Sequence, residues 1–186
     1  FEIHVDENGT ATEGRRRVMR FEPNATSANI IAGFNSNSVA GSVVGATISG
    51  GGEGGGGQTI ASNYSTIGGG SRNTIGASSI NSTIAGGVSN QVGASAGNGT
   101  VSGGLANVIV SGDHTTIGGG FNNQINTGAF GSTLGGGTNN RIASHTSVVD
   151  GGNANSIGTS SQFSTIGGGH QNVIGNSAFE SLIAGG

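Results

Sequence analysis

The residues of this chain that could do chemistry are four histidines, nine acids and a run of glycines. His4, His114, His145 and His170 are the candidate metal ligands. No Cys accompanies them, and no two stand at the helical spacing that puts a zinc-binding pair on one face. They read as surface histidines. Asp113 and Asp150 are isolated, and the Gly-Gly-x-Gly-x-Asp calcium repeat is missing, which leaves calcium at a corner as the weaker alternative. Glycoside cleavage needs two carboxyl groups a fixed distance apart. Between Leu134 and Phe179 the only acid is Asp150. The run Gly50-Gly51-Gly52-Glu53-Gly54-Gly55-Gly56-Gly57 has the composition of a phosphate loop but lacks the closing Lys-Ser/Thr, and no helix follows. Ser is abundant, yet no Gly-x-Ser-x-Gly stands in the strand-to-helix setting of a nucleophile elbow. The expectation is a protein that is not an enzyme, with no cofactor and no bound metal.

Charge narrows the partners. Six basic and nine acidic residues give a net charge of −3, and charged residues are only 8% of the chain. Globular domains usually carry roughly 25%. With no basic stripe, nucleic acid is not an expected partner. Arg15-Arg16-Arg17 is the one basic run. It sits beside Glu13 and Glu22 and reads as a solvated or interchain face. The absence of Cys excludes a disulfide scaffold. No stretch reads as a signal peptide or membrane span, so no membrane contact is expected within this segment. A start at Phe1 and an end inside a repeat suggest a piece of a longer chain.

What must position these residues is a repeat. Thr66-Ile67-Gly68-Gly69-Gly70 returns as Thr116-Ile117-Gly118-Gly119-Gly120 and as Thr165-Ile166-Gly167-Gly168-Gly169. Aligned on the aliphatic, the anchors are Ile31, Ile48, Ile67, Ile84, Val101, Ile117, Leu134, Val149, Ile166 and Ile183. Their spacings run from 15 to 19 residues, mostly 17. Six residues after the anchor stands Asn37, Asn73, Asn90, Asn107, Asn123, Asn140, Asn155 or Asn172. Two residues further stands Val39, Ile75, Val92, Ile109, Ile125, Ile142, Ile157 or Ile174. The Ile48 copy breaks the pattern, because the glycine run takes the Asn position and adds two residues to the interval.

A period near 17 is too short for a helical repeat of about 34 residues or a propeller blade of about 40 to 45. It suits short strands in a parallel coil, β-branched at their centres and turned by Gly, Asn and Ser. Glycine is costly inside a helix, and no window carries helical apolar spacing. The fold class expected is therefore all-β: a parallel β-solenoid or left-handed β-roll of about ten coils. Each anchor stacks on the next at roughly 4.8 Å, giving a rod of roughly 45 Å. Asn at a corner can bond along the stack and tolerate left-handed geometry.

The Thr before the anchor and the Gly after it share the opposite face. Thr66, Gly68, Thr83, Thr100, Thr116, Gly118, Thr133, Gly135, Thr165 and Gly167 are the expected interchain face, where glycine clears room for a neighbour. Association is expected because each coil supplies so little bulk. Tyr64, Ile80, Ala96, Phe130, Phe163 and Phe179, three to five residues before their anchors, are expected to add to the buried stack. Residues 1–29 do not follow the repeat and read as an N-terminal cap or irregular first strands, with a turn at Asp6-Glu7-Asn8-Gly9. Residues 30–186 are the glycine-rich repeats.

Ser65 to Gly68, Ser82 to Ala85, Ser132 to Gly135 and Ser164 to Gly167 resemble the Ser-x-Ala-Ile-Gly coils in the head repeats of trimeric autotransporter adhesins, YadA-like heads, and of related bacterial and phage fibre proteins. The resemblance covers roughly residues 30–186. The family coil is usually shorter, and Gly-Gly-Gly-x-x-Asn is particular to this chain. The resemblance implies a left-handed β-roll, a homotrimer, and display at a cell surface or on a virion fibre. It implies adhesion to a host surface, matrix or glycan, or service as a rigid spacer. The alternatives are a carbohydrate-binding solenoid, for which exposed aromatics are few, and an ice-binding one, whose Thr column Val148 and Leu182 interrupt.

Overall fold

The computed structural model describes residues 1–6 and 15–186. The expected turn at Asp6-Glu7-Asn8-Gly9 lies beyond residue 6 and outside the described residues. The side chains of 3–6 and 15–17, including His4 and the Arg15-Arg16-Arg17 run, also lie outside the description.

Strand β1 (Glu2–Asp6) pairs antiparallel with β2 (Arg15–Glu22), with a register shift between Ile3 and His4. β2 pairs antiparallel with β3 (Asn29–Ala32). After β3 every strand is parallel to its neighbours and two residues long, such as Thr66–Ile67 and Thr74–Ile75. Strands alternate between two sheets, one of 12 strands and one of 9. One turn of chain visits each sheet once, so the result is a parallel β-solenoid of about nine turns spaced about 17 residues apart. It is an elongated all-β scaffold.

Two residues suffice for a strand because alternation has only two sides to serve. In Thr66–Ile67 and its counterparts the aliphatic points in and is buried, while Thr points out and is half-buried. The first sheet stacks Ile67 on Ile84, then Val101, Ile117 and Leu134. The second stacks Ile75 on Val92, Ile109, Ile125 and Ile142. Both columns form one continuous apolar core, with Ile183 at the end only partly covered.

A third ladder escaped sequence reasoning. Single-residue parallel bridges run Ser71, Val88, Leu105, Phe121, Thr138, Asn153 and His170, each four residues after its anchor. The coil therefore has three bridged sides. Corners between them hold backbone in the left-handed region. Seven non-glycine residues at anchor plus five have φ between 54° and 59°, from Arg72 to Gln171. A further set falls three before the anchor, including Tyr64 and Phe163. Asn, Ser and Gly recur at such corners because L-residues with larger side chains tolerate that region poorly.

This geometry corrects the place given to the aromatics. Tyr64, Ile80, Phe130, Phe163 and Phe179 are not buried in the stack but stand outside it, between 46% and 58% exposed. Ala96 alone of that group is buried. The corner turns their side chains outward, and the space beneath is filled by small residues. Ser65, Ser82, Ser132, Ser147 and Ser164 are buried there, two residues before the anchors. Their hydroxyls tie consecutive coils: Ser82 donates to the Ala96 carbonyl at 2.9 Å and accepts from the Gly99 N–H at 3.1 Å.

The Ile48 turn is also different from the sequence reading. Its second-sheet strand is Thr59–Ile60, paired with Ser38–Val39 and Thr74–Ile75. Ile60 is therefore a core residue that stands twelve residues after Ile48 and seven before Ile67. The turn gains four residues at one corner and loses two at another, rather than simply gaining two. Gln58 is buried at the Asn position, accepting from Asn73 at 3.1 Å while its N–H bonds to the Asn37 side-chain oxygen at 2.9 Å. The displaced glycines form an exposed loop closed by a Glu53–Gly56 bridge and a 2.9 Å Glu53–Arg72 ion pair.

Candidate functional surface

The Asn column is the most fully bonded feature of the chain. Asn73 donates from Nδ2 to the Gly69 carbonyl of its own turn and to the Gly87 carbonyl of the next, both at 2.9 Å. Its Oδ1 accepts the Asn90 backbone N–H at 3.0 Å. Asn90, Asn107, Asn123, Asn140 and Asn155 repeat the arrangement. Asn37 heads the column and half-buried Asn172 ends it. An amide has two donors and an acceptor, and all are used: one donor within the turn, the other donor and the acceptor along the rod axis. These side chains are occupied with holding turn to turn and face no ligand.

The same register explains one glycine per turn. Gly70, Gly87, Gly104, Gly120, Gly137, Gly152 and Gly169 have φ between 83° and 92°. A Cβ on Gly120 would overlap the Gly137 carbonyl oxygen of the next turn. The glycine just after the anchor is similar in effect. A Cβ on Gly68, Gly118, Gly135 or Gly167 would overlap the carbonyl of Ala85, Gly135, Asp150 or Ala184. The room that sequence reasoning reserved for a neighbouring chain is thus taken up, at these glycines, by the next turn of the same chain.

Outside the core, three surfaces stand out. The first is the Thr row of the first sheet. Thr47, Thr66, Thr83, Thr100, Thr116 and Thr133 are paired in register over six consecutive turns before Val148 replaces Thr. Thr165 resumes the row and Leu182 follows it. The second is the third ladder, where Val88, Leu105 and Phe121 are 38%, 45% and 44% exposed on adjacent turns. Each directly follows the positive-φ glycine, a signal the sequence contained. The third is the aromatic corner, where Phe130 and His145 stack with centroids 5.1 Å apart.

The three histidines whose side chains are described do not converge. His114 lies beside Asn98 at a corner, His145 is against Phe130, and His170 belongs to the third ladder. Asp113 accepts the Gly97 N–H at 2.8 Å. Among the described residues no group of three or more His, Cys, Asp or Glu comes together, and no catalytic cluster is assembled. Among the described residues no helix is long and apolar enough to cross a membrane. No known family model matches the chain, and no curated protein is similar to it in sequence.

Proposed function

We propose that this domain is a rigid structural and adhesive rod, one segment of an extracellular surface or tail fibre built from three identical chains. The observation that supports it is the axial continuity of bonding. Core aliphatics, Asn amides and Ser hydroxyls all link each turn to the next over about nine turns. Such a stack resists bending while leaving its outward rows free for contact.

Assembly would cover the apolar row Val88, Leu105 and Phe121, because exposed aliphatic and aromatic side chains in contiguous register are costly in water. The Thr and Gly flank around Thr116 is the second face to test. Gly68→Leu and Gly118→Leu cannot decide between the faces, since either would disrupt the chain itself. Mass in solution is the test, with Leu105→Ser/Phe121→Ser and Thr116→Lys as the two arms. A trimer has three times the 17.9 kDa of one chain. The double Ser variant should dissociate it while circular dichroism is unchanged. A monomeric parent with intact circular dichroism defeats the assembly reading.

A second reading draws on the six-turn Thr row, whose regular spacing suits an ice surface. Thermal hysteresis in the parent, lost in Thr83→Lys, would carry it. No hysteresis at all removes it.

A further inference from the structure

On the outward side of the second sheet a groove of about 330 Å³ crosses four consecutive turns, lined by Val110, Gln124, Asn126, Thr127, Arg141, Ala143 and Thr159. Arg141 takes the row position held by Gln124 on one side and Ser156 on the other. It is the last of six basic residues, with none between it and Arg72. No carboxylate is paired with it among the described residues. Instead, with the Asn126 amide oriented to satisfy both groups, the Asn126 Oδ1 accepts from Arg141 Nε at 2.6 Å and Nη2 at 2.5 Å. That contact uses two of the five guanidinium N–H groups and leaves others for an incoming acceptor.

We infer that this groove binds an acidic sugar, a hexuronate unit, with Arg141 holding the carboxylate. A guanidinium fork matches a carboxylate in geometry as well as charge. Gln124, Thr127 and Thr159 supply the donors and acceptors that sugar hydroxyls require, and Val110 and Ala143 are the apolar lining residues available to the C–H face of the ring. The volume sits at the low end of small-ligand sites, which start near 300 Å³, so one ring fits and a long oligosaccharide must extend along the rod. The inference names a ligand class for the adhesive part of the reading above and rests on it there. The groove is complete within one chain, so it does not depend on the number of chains.

The test is amide chemical-shift titration of isotope-labelled protein with glucuronate, methyl glucoside, acetate and sulfate, with mass measured on the same samples. Glucuronate should shift the amides of Asn126, Arg141 and Ala143, and the other three should shift them far less. Arg141→Gln should weaken binding at least about tenfold, or about 1.4 kcal/mol. Arg72→Gln, outside the groove, should leave it unchanged. Because Arg141 is exposed, both variants should keep the parent spectrum elsewhere. Equal shifts from acetate or sulfate reduce the groove to a bare anion site and overturn the inference. So do equal shifts from methyl glucoside, unchanged affinity in Arg141→Gln, or no groove shift with glucuronate. Monomeric mass with these shifts intact defeats the trimer and leaves the inference standing.

Discussion

Replacing Asn123 with Ala removes one rung of the axial amide column at the middle of the rod. The main lost bonds are Nδ2 to the Gly119 carbonyl at 2.8 Å, Nδ2 to the Gly137 carbonyl at 2.9 Å, and Oδ1 from the Asn140 N–H at 3.0 Å, with a longer one to Oδ1 from the Asn140 side chain at 3.3 Å. They are not equal in consequence. The Gly137 carbonyl still accepts the Phe121 N–H at 2.9 Å. The Asn140 N–H, with its residue 1% exposed, loses its acceptor. An unsatisfied buried donor costs about 1–3 kcal/mol and each ordinary bond about 1 kcal/mol, so the expected loss is about 3–5 kcal/mol. Denaturant melting with the m-value held should read it, and exchange of the Asn140 amide should rise in step. Asn153→Ala, exposed on the third ladder, should stay within about 0.5 kcal/mol. Asn123→Asp adds a pH signature. Its carboxylate would face two carbonyl oxygens in a buried site, which raises its folded pKa above the unfolded value of about 3.9. The variant is then relatively stable below that pH and loses stability as pH rises through the folded value. A loss under about 1 kcal/mol in Asn123→Ala, or no pH dependence in Asn123→Asp, would show that the column is decoration rather than the joint between turns.

Other substitutions test the remaining parts of the coil. Gly120→Ala combines left-handed backbone at φ 88° with overlap on Gly137, and should cost at least about 3 kcal/mol in melting experiments; Gly86→Ala, with open space around it, should be near neutral. Ala154→Gly relieves a φ of 56° and should raise stability by about 0.5–1 kcal/mol, which differential calorimetry can resolve as a higher midpoint. Ile60→Ala, at a fully buried site, should cost about 2–5 kcal/mol, the same range as Ile125→Ala, in parallel denaturant curves.

The stacking was legible because its constraints point inward and recur. An aliphatic at the anchor, an aliphatic eight later and Asn between them, replaced once by Gln58, meet narrow demands of buried positions, so they stand out against a variable background. The third ladder was not legible for the opposite reason. Its bonds are made by backbone, its side chains face water, and Ser71, Val88, Thr138 and His170 therefore share no chemistry. The Ile48 turn hid Ile60 because a loop insertion moved it out of phase, although Gln58-Thr59-Ile60 echoes Asn73-Thr74-Ile75. The aromatics misled because bulk was assumed to belong inside. A coil this narrow has room for two aliphatics and small Ser or Ala, and left-handed corners aim everything larger outward. The groove around Arg141 depends on which rows of four different turns lie side by side, and that requires the register of the second sheet.

A division of labour follows from these placements. The core aliphatics and the Asn column that join the turns are buried except at the ends of the rod, and most of the variation from turn to turn is outside. Changing an outward residue such as Arg141, Phe130 or Leu105 therefore alters a surface without touching the joint between turns. Changing Asn123 or Gly120 does the reverse. A rod built this way can carry a binding groove, an apolar seam and a Thr row on separate sides, because none of the three draws on residues that hold the stack. The chemistry of the chain consequently has to be sought by side of the coil rather than by motif along the sequence. Residues 17 apart are neighbours there, and adjacent residues face opposite ways.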